Sequence, residues 1–429
     1  MKQRFDAIVV GAGPAGSACS YTLAKSGLDV LLVERGKVAG AKNMWGGAFY
    51  GPTLNQLFPN LWQEAPLERY VTHHKISALT NEDCLTAEYT TIKLAQPPYN
   101  GFTILRSKFD RWFVSKVEEA GAIVATSLQA DDLILDGKRI IGIKAGNDEL
   151  PANIVVVCDG VNSVLAGKAG LRKRLKPQAV KQAVKEVIQL PRELIERRFN
   201  LTGGEGIAWE FIGSFTRGLP GGAFIYTNKD SLSVGVAVQL SALAEHNIRA
   251  VEILEEFKQH PAVASLLDEG KLEEYSAHLI PVYGLAMMPA LNTDGLLVAG
   301  DAAAFVLGTG LILEGANFAI ASGIAAAETV IKAKQAGDFS KKFLDYYPEL
   351  LRKNFVLKDL ETFRSTPHFL ENPRIYSLYP ELACNLAEKI FINDGRPRKK
   401  IRQLLSQATK GRVTIWQFAK DLMQMMRSI

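Results

Sequence analysis

Cysteine is scarce in this chain of 429 residues: there are four, at 19, 84, 158 and 384, and no two form a CxxC pair. That spacing argues against a disulfide framework, and against an iron–sulfur or zinc site built by this chain alone. Long apolar runs are missing too. No window of about 18 uninterrupted apolar residues occurs, so no membrane-spanning helix is expected. The opening MKQRFDAIVVGAG has no apolar stretch followed by a cleavage site; no signal peptide is read, and the cytoplasmic side is the expected location. Internal repeats and low-complexity segments are absent as well. What remains is an ordinary globular composition, 47% apolar, in a chain long enough for two or more packed domains.

The net charge of +5 is unevenly spread. From Arg396 to Ile429, nine Lys or Arg stand against one acid, Asp421. A solvated basic helix pair accounts for this. So does contact with an anionic membrane surface or an acidic partner protein. No other feature resembles a nucleic-acid module, so nucleic acid is not an expected partner.

Residues 5–36 read FDAIVVGAGPAGSACSYTLAKSGLDVLLVERG. DAIVV is a short β-branched run, expected as a buried strand. GAGPAG follows at once, then a helical pattern from Ala15 to Ser26 that ends at Gly27. A second strand, Val30–Val33, ends at Glu34. In this strand–turn–helix–strand–acid order, Gly11 permits the tight turn, Gly13 lets the backbone approach a pyrophosphate, and Gly16 lets helix and strand pack closely. The helix N-terminus offers free N–H groups to phosphates. Glu34, 23 residues beyond Gly11, is placed to accept from a ribose hydroxyl. The motif alone does not choose between FAD and NAD.

Further along, the segment from Arg106 to Val117 carries Phe109, Trp112, Phe113 and Val117 at helical spacing. ADDLILDGKRIIGIKAG reads as a hairpin turning at Asp136-Gly137. ANIVVVCDG is a buried strand ending at Asp159-Gly160, and Ser163 opens a helical segment. From about Val180 to Ser276, successive alternating runs predict an antiparallel sheet inserted into the first domain, with a helix at AVEILEEFKQH. The chain then returns with GLLVAGD. Here Asp301 ends an apolar strand, where a charge is costly unless something hydrogen-bonds to it. Either a ligand or a helix N-cap would satisfy it, and a long Gly/Ala-rich helix is expected from about Gly310.

VVGAGPAG…VER, VVVCDGVNS and LLVAGDAAAF…GANFAIASG together resemble the glutathione-reductase-like flavoproteins of the para-hydroxybenzoate-hydroxylase type. ERGKVAGAKNMWGGAFY, APLERYVTHHKISALT, GGAFIYTNKDSLSVG, FKQHPAV, KLEEYSAHLIP and HFLENPRIYSLYP narrow this. From Phe5 to beyond Pro380 the chain is similar to the electron transfer flavoprotein–quinone oxidoreductase family, and more closely to its short bacterial form, the flavoprotein subunit of Fix-type complexes. The resemblance implies an α/β chain with α+β elements: a glutathione-reductase-like, FAD-binding Rossmann domain with an inserted antiparallel-sheet domain for quinone or substrate and a helical C-terminal region. The corresponding regions are 1–180, first part of the FAD-binding domain; 181–280, inserted sheet; 281–340, return segment; and 341–429, helical with the basic tail.

For the site, the resemblance implies that Asp301 hydrogen-bonds the ribityl chain of FAD and that Asp159 organises the pyrophosphate region. Further expected cofactor contacts are Pro14, Ala15, Arg35, Lys42, Asn43, Gly46, Gly47, Arg106, Gly160, Gly300, Gly310 and Leu313. Gly46 and Gly47 would bring backbone near the flavin ring, or simply make a turn. Gly221 and Gly222 resemble the family's quinone-approaching glycines, although Pro220 stands where the family has tyrosine; a plain strand with a glycine bulge is the alternative. No metal site is expected, and the adjacent His73 and His74 point to opposite faces of a strand. Two departures stand out. The tail lacks the cysteine cluster of the family's long members, which implies a separate small ferredoxin-like iron–sulfur subunit. Ala304 replaces the last glycine of the usual GDAAGF. The implied activity passes electrons from an electron transfer flavoprotein, through that subunit or directly, to a membrane quinone, with the chain peripheral to the inner face of the cell membrane. A geranylgeranyl-reductase-like or aromatic-hydroxylase-like flavoenzyme, and a non-catalytic scaffold flavoprotein, are the alternatives.

Overall fold

A computed structural model describes residues 4–41 and 47–429. Along the chain the strands are β1 (Phe5–Val10), β2 (Val30–Val33), β3 (Ala48–Tyr50), β4 (Leu67–Leu79), β5 (Cys84–Thr90), β6 (Gly101–Ile104), β7 (Ile123–Ala125), β8 (Asp132–Asp136), β9 (Arg139–Ala145) and β10 (Asp148–Val157). They continue with β11 (Val180–Gln189), β12 (Glu205–Gly213), β13 (Gly221–Thr227), β14 (Ser231–Gln239), β15 (Lys271–Pro281), β16 (Asn292–Thr293), β17 (Leu296–Val298), β18 (Leu307–Gly308) and β19 (Leu313–Glu314).

The first sheet has a parallel centre in the order β17-β10-β1-β2-β7, with β16 at one edge and the β8–β9 hairpin attached to β10. Its central strands are apolar on both faces because both faces are covered: Ile8, Val9, Val155 and Val156 have no exposed surface. Each such side chain contributes roughly 1.5–3 kcal/mol on burial. On one face lies the helix Pro14–Lys25, crossed by the long helix Ala316–Ala336. Small residues set that crossing. A methyl at Gly323 would stand 2.2 Å from the Ala15 carbonyl oxygen, so only glycine lets the two backbones come this close.

The second sheet runs β15-β11-β14-β13-β12-β4-β6-β3, with β5 on β4. It is larger than the inserted segment 181–280, because β3, β4, β5 and β6 join it from within the first region. The seam is parallel: β12 pairs with β4, setting Glu210 beside Ile76. Strand alternation divides this sheet's faces. Val184, Val236, Ile225 and Phe211 pack under the helix Ala250–Gln259, against Ile253, Leu254 and Phe257. The alternate positions carry smaller or polar side chains, among them Ala237, Gly222 and Glu210, and these line a cavity.

The long Gly/Ala-rich helix starts later than about Gly310. Residues 307–314 form the small β18–β19 hairpin, in which the Thr309 hydroxyl accepts from the amides of Leu311 and Ile312. Those side-chain bonds favour a turn, so the helix begins at Ala316. Beyond it the chain is helical. The last helix, Ile415–Ser428, lies back on the protein: Arg374 pairs with Asp421, and the Thr366 hydroxyl donates to the Ser428 carbonyl. Among the described residues no helix is long and apolar enough to cross a membrane.

Candidate functional site

The ends of the parallel strands open into a cleft of about 270 Å3. At its base the glycine turn is fixed by backbone geometry. Gly11 has φ +104°, and a methyl there would lie 2.3 Å from the Cys158 carbonyl oxygen. A methyl at Gly16 would lie 1.9 Å from the Gly11 carbonyl oxygen. Gly13 is different: the nearest atom to a methyl there is Arg106 Nη2 at 3.8 Å, so its backbone faces open space. Gly13 caps the Pro14–Lys25 helix, which has no acid in its first turn to compete for an anion.

Glu34 does more than sequence reasoning assigns it. Its Oε2 accepts from the Ala12 amide at 3.0 Å and its Oε1 from the Gly36 amide at 2.6 Å. The carboxylate therefore braces the glycine turn while it lines the cleft. Gly11, Gly13, Pro14, Ala15, Glu34, Arg35, Arg106, Asp159, Gly160, Asp301 and Leu313 all lie on the cleft wall. Gly16 and Gly300 pack behind it, the latter with φ +65° and its amide donating to Ser322 Oγ at 3.0 Å. Gly47 faces the ring of Tyr226. Gly310 lies on the wall of a second cavity instead. Lys42, Asn43 and Gly46 fall outside the described residues.

Asp301 sits in the short turn Gly300–Ala303 and does not cap the long helix. Burial pushes its carboxyl above the usual range, and His278, Arg106 and Arg172 pull it back. Burial lowers the His278 imidazole, and Asp301 opposes that shift. Asp159 is also raised by burial; Oδ2 accepts from the Leu165 amide at 3.3 Å, whereas buried Oδ1 has no hydrogen-bond partner. Arg172 donates through Nη1 to the Ala302 carbonyl at 3.1 Å, and its buried Nη2 is likewise unpartnered. Arg106 is held by Asp110 through two bonds of 2.6 Å. On this wall, Gly13 at a helix N-terminus has open space above its backbone, as a pyrophosphate requires, and buried Asp159 Oδ1 is a polar atom still in need of a partner. Sequence reasoning missed His278 and Arg172. Each stands in an unremarkable local pattern; β15 carries His278 to the cleft wall, and the turn after Lys168 sets Arg172 close enough to act on Asp159 and Asp301.

The second cavity, about 460 Å3, adjoins the cleft: Ile280 and Leu313 line both. Its wall is mostly apolar, with Phe224 and Ile212 from the second sheet, Leu311 and Ile312 from the hairpin, and Phe418, Leu422 and Met425 from the last helix. Gly221 and Gly222 are on this wall. A methyl at Gly222 would stand 2.9 Å from the Phe211 carbonyl oxygen, and one at Gly221 would stand 2.8 Å from that of Ala237. Strand packing therefore requires glycine at both places whatever the cavity holds. His73 and His74 lie away from both cavities on β4, where His73 Nδ1 is 2.9 Å from Glu88 Oε1. Among the described residues no cluster of three or more metal-ligating side chains occurs.

With this geometry in hand, likeness to known proteins is informative. Residues 6–111 match the family of FAD dependent oxidoreductases, and residues 366–429 match the ETF-QO/FixC family C-terminal domain. The chain is 44% identical over 402 residues, 94% of each chain, to the probable electron transfer flavoprotein-quinone oxidoreductase YdiS of Escherichia coli (strain K12). It is 44% identical over 399 residues, 93% of each chain, to the protein FixC of the same strain. Among solved structures, a geranylgeranyl bacteriochlorophyll reductase-like protein from Thermoplasma acidophilum superposes with a TM-score of 0.76 over 99% of each chain at 19% identity, which is a likeness of fold. The cofactor is FAD, and the matched FAD dependent oxidoreductase region includes Gly11, Gly13, Gly16 and Glu34 of the glycine turn.

Proposed function

This chain belongs to the ETF-QO/FixC family of FAD-dependent oxidoreductases, and from that premise we propose that it carries electrons from an electron transfer flavoprotein to a membrane quinone as the flavoprotein subunit of a Fix-type complex. The observation that carries the reading is the apolar cavity set against the FAD cleft across Ile280 and Leu313. Two adjoining sites, one for a dinucleotide and one for a flat apolar molecule, suit electron transfer between two bound rings.

In this reading FAD supplies the two-electron redox chemistry, and the protein binds and orients. Gly11, Gly13 and the helix amides behind Pro14 and Ala15 would hold the pyrophosphate, with Arg35 and Arg106 nearby. Glu34 would accept from the ribose. Asp159 and Gly160 would complete the phosphate end, and Asp301 would accept from the ribityl hydroxyls. Gly47, Gly300 and Leu313 would frame the ring end. Gly221 and Gly222 would offer backbone to a quinone head group. Electrons would arrive through a separate small ferredoxin-like subunit or directly from the donor flavoprotein.

Peripheral attachment to the inner face of the membrane fits the surface. Trp416 is 87% exposed and Met426 74%, on the outward side of the last helix, and Phe391, at the end of the helix Leu378–Phe391, is 79% exposed. The basic run Arg396–Arg402 lies between them in sequence and would meet anionic lipid at roughly 1 kcal/mol per charge.

The same apolar cavity would take the isoprenoid chain of a prenyl-reductase substrate, which is the second reading. One experiment separates them. The reduced holoprotein is mixed anaerobically with decylubiquinone or with geranylgeranyl diphosphate. The proposal expects flavin reoxidation and an equal amount of quinol. Saturation of prenyl double bonds without quinone reduction would replace it with the second reading.

A further inference from the structure

The second cavity contains one feature that its apolar character does not explain. Glu210 projects into it from β12, between Ile76 of β4 and Phe224 of β13. Its hydrogen-bonding partner is the Tyr226 hydroxyl, which donates to Oε1 at 3.2 Å. A carboxyl in such surroundings is costly when charged, and in this chain burial pushes it up to about 7.

The other titratable groups facing this space are less suited to proton transfer near neutrality. Asp421, on the last helix, is paired with Arg374 and accepts from Tyr379, and these bonds hold it down at about 2. Tyr226 of β13 is raised well above its ordinary range by burial, and Tyr50 of β3 is raised too, by burial and by Glu314 and Glu210. Tyr379 is raised to about 12. Glu371, which also lines the cavity, is exposed. His74 of β4, two residues before Ile76 on the same sheet face, lies outside the cavity and is lowered by burial. Lys181 of β11, lowered by burial to about 8, stands further across the sheet, past β13 and β14.

Position agrees with this. Glu210 pairs with Phe224, and Gly222 is the next residue on the same face of β13, one diagonal step of about 7–8 Å away. A ring seated against Gly222 would reach the carboxyl with an oxygen. Reducing a quinone to its quinol takes two electrons and two protons. Bound FAD, reduced and anionic, would supply both electrons and one proton, so one more proton is needed, and an apolar cavity admits little water to provide it.

We propose that Glu210 is the catalytic residue that delivers this second proton to the quinone oxygen. The Glu210 O–H bond breaks as the quinol O–H bond forms. The carboxylate left behind accepts from Tyr226 and recovers its proton from water at the cavity mouth. This inference rests on the quinone reading above.

The test compares the holoprotein with Glu210→Gln, which keeps size and hydrogen bonding but cannot donate this proton. Infrared titration of the chain without quinone reads the carboxyl directly. A buried carboxyl band with a midpoint near 7 in the native chain should be missing from Glu210→Gln. In anaerobic stopped flow, reoxidation by decylubiquinone should slow on the order of 100-fold or more, whereas reoxidation by ferricenium, which needs no proton, should not slow. The native quinone rate should fall as pH rises through about 7, because the donating form is the acid, and the variant should lack that limb. Retention of the limb in Glu210→Gln, or equal slowing with both acceptors, would overturn the role of Glu210. A native protein that ferricenium reoxidises and decylubiquinone does not would overturn the quinone reading itself and this inference with it.

Discussion

Arg374 grips Asp421 with both prongs of its guanidinium, Nε to Oδ2 at 2.7 Å and Nη2 to Oδ1 at 2.8 Å. The pair ties the last helix to the segment after Phe369, over the apolar cavity. Asp421 is buried and Arg374 is about one-third exposed, so removing the carboxylate should cost about 1.5–2 kcal/mol, the lower part of the range for charged hydrogen bonds. In Asp421→Asn, amides of 415–429 should exchange faster with solvent while those of β1 and β10 stay protected. Because Asp421 is depressed to about 2, the contribution of the pair is complete above its unfolded value near 4 and is lost as pH falls through about 2.

Ala304 occupies left-handed backbone, with φ +62°, at the end of the Gly300–Ala303 turn. That conformation costs an L-residue roughly 1–2 kcal/mol, a cost that glycine largely avoids. Ala304→Gly should therefore stabilise the holoprotein by about 1 kcal/mol, read as a higher midpoint in urea. A lower midpoint would mean that the Ala304 methyl, 1% exposed, contributes more by packing than its backbone loses.

Asp301→Ala should weaken FAD binding. Each lost bond to a charged acceptor is worth about 1.5–3 kcal/mol, or roughly tenfold to a hundredfold in affinity. Flavin absorbance after gel filtration is the readout. Full occupancy in the variant would leave Asp301 as a turn residue only.

Much of the cleft was legible because its signals are local. GAGPAG between two strands fixes a turn through sterics that act within a few residues, and the Gly137 hairpin and the β2 boundaries follow equally short rules. Ala304 was readable as a departure but not as strained backbone, since φ is not in the sequence. Long-range pairing was hidden. Nothing in APLERYVTHHKISALT announces that β4 pairs in parallel with β12, so the second sheet looked confined to 181–280. For the same reason Glu210 in GIAWEFIG reads as an ordinary outward polar position, and His278 as one alternation in a strand. The sequence of the tail fits membrane contact, partner docking or packing on its own domain equally. In the structure one side of it closes a cavity and the other carries Trp416 and Met426 outward.

That two-sided tail changes how membrane contact should be tested. Truncation near Asp394 would open the cavity as well as remove the surface. Replacing Trp416, Met423 and Met426 by Ser keeps the inward face intact. The proposal expects the native holoprotein to float with anionic liposomes, less so in high salt, and the triple variant to float poorly at normal FAD content. Equal flotation of the two would assign the outward face to a partner subunit instead.

The central claim is that a quinone binds in the cavity beside the FAD cleft. A photoreactive azidoquinone, irradiated with the holoprotein and followed by peptide mapping, tests it most directly. Labelling should fall on β12–β13, on the 307–314 hairpin or on the last helix, and excess decylubiquinone should suppress it. Labelling confined to residues remote from this cavity, or insensitive to decylubiquinone, would contradict the account.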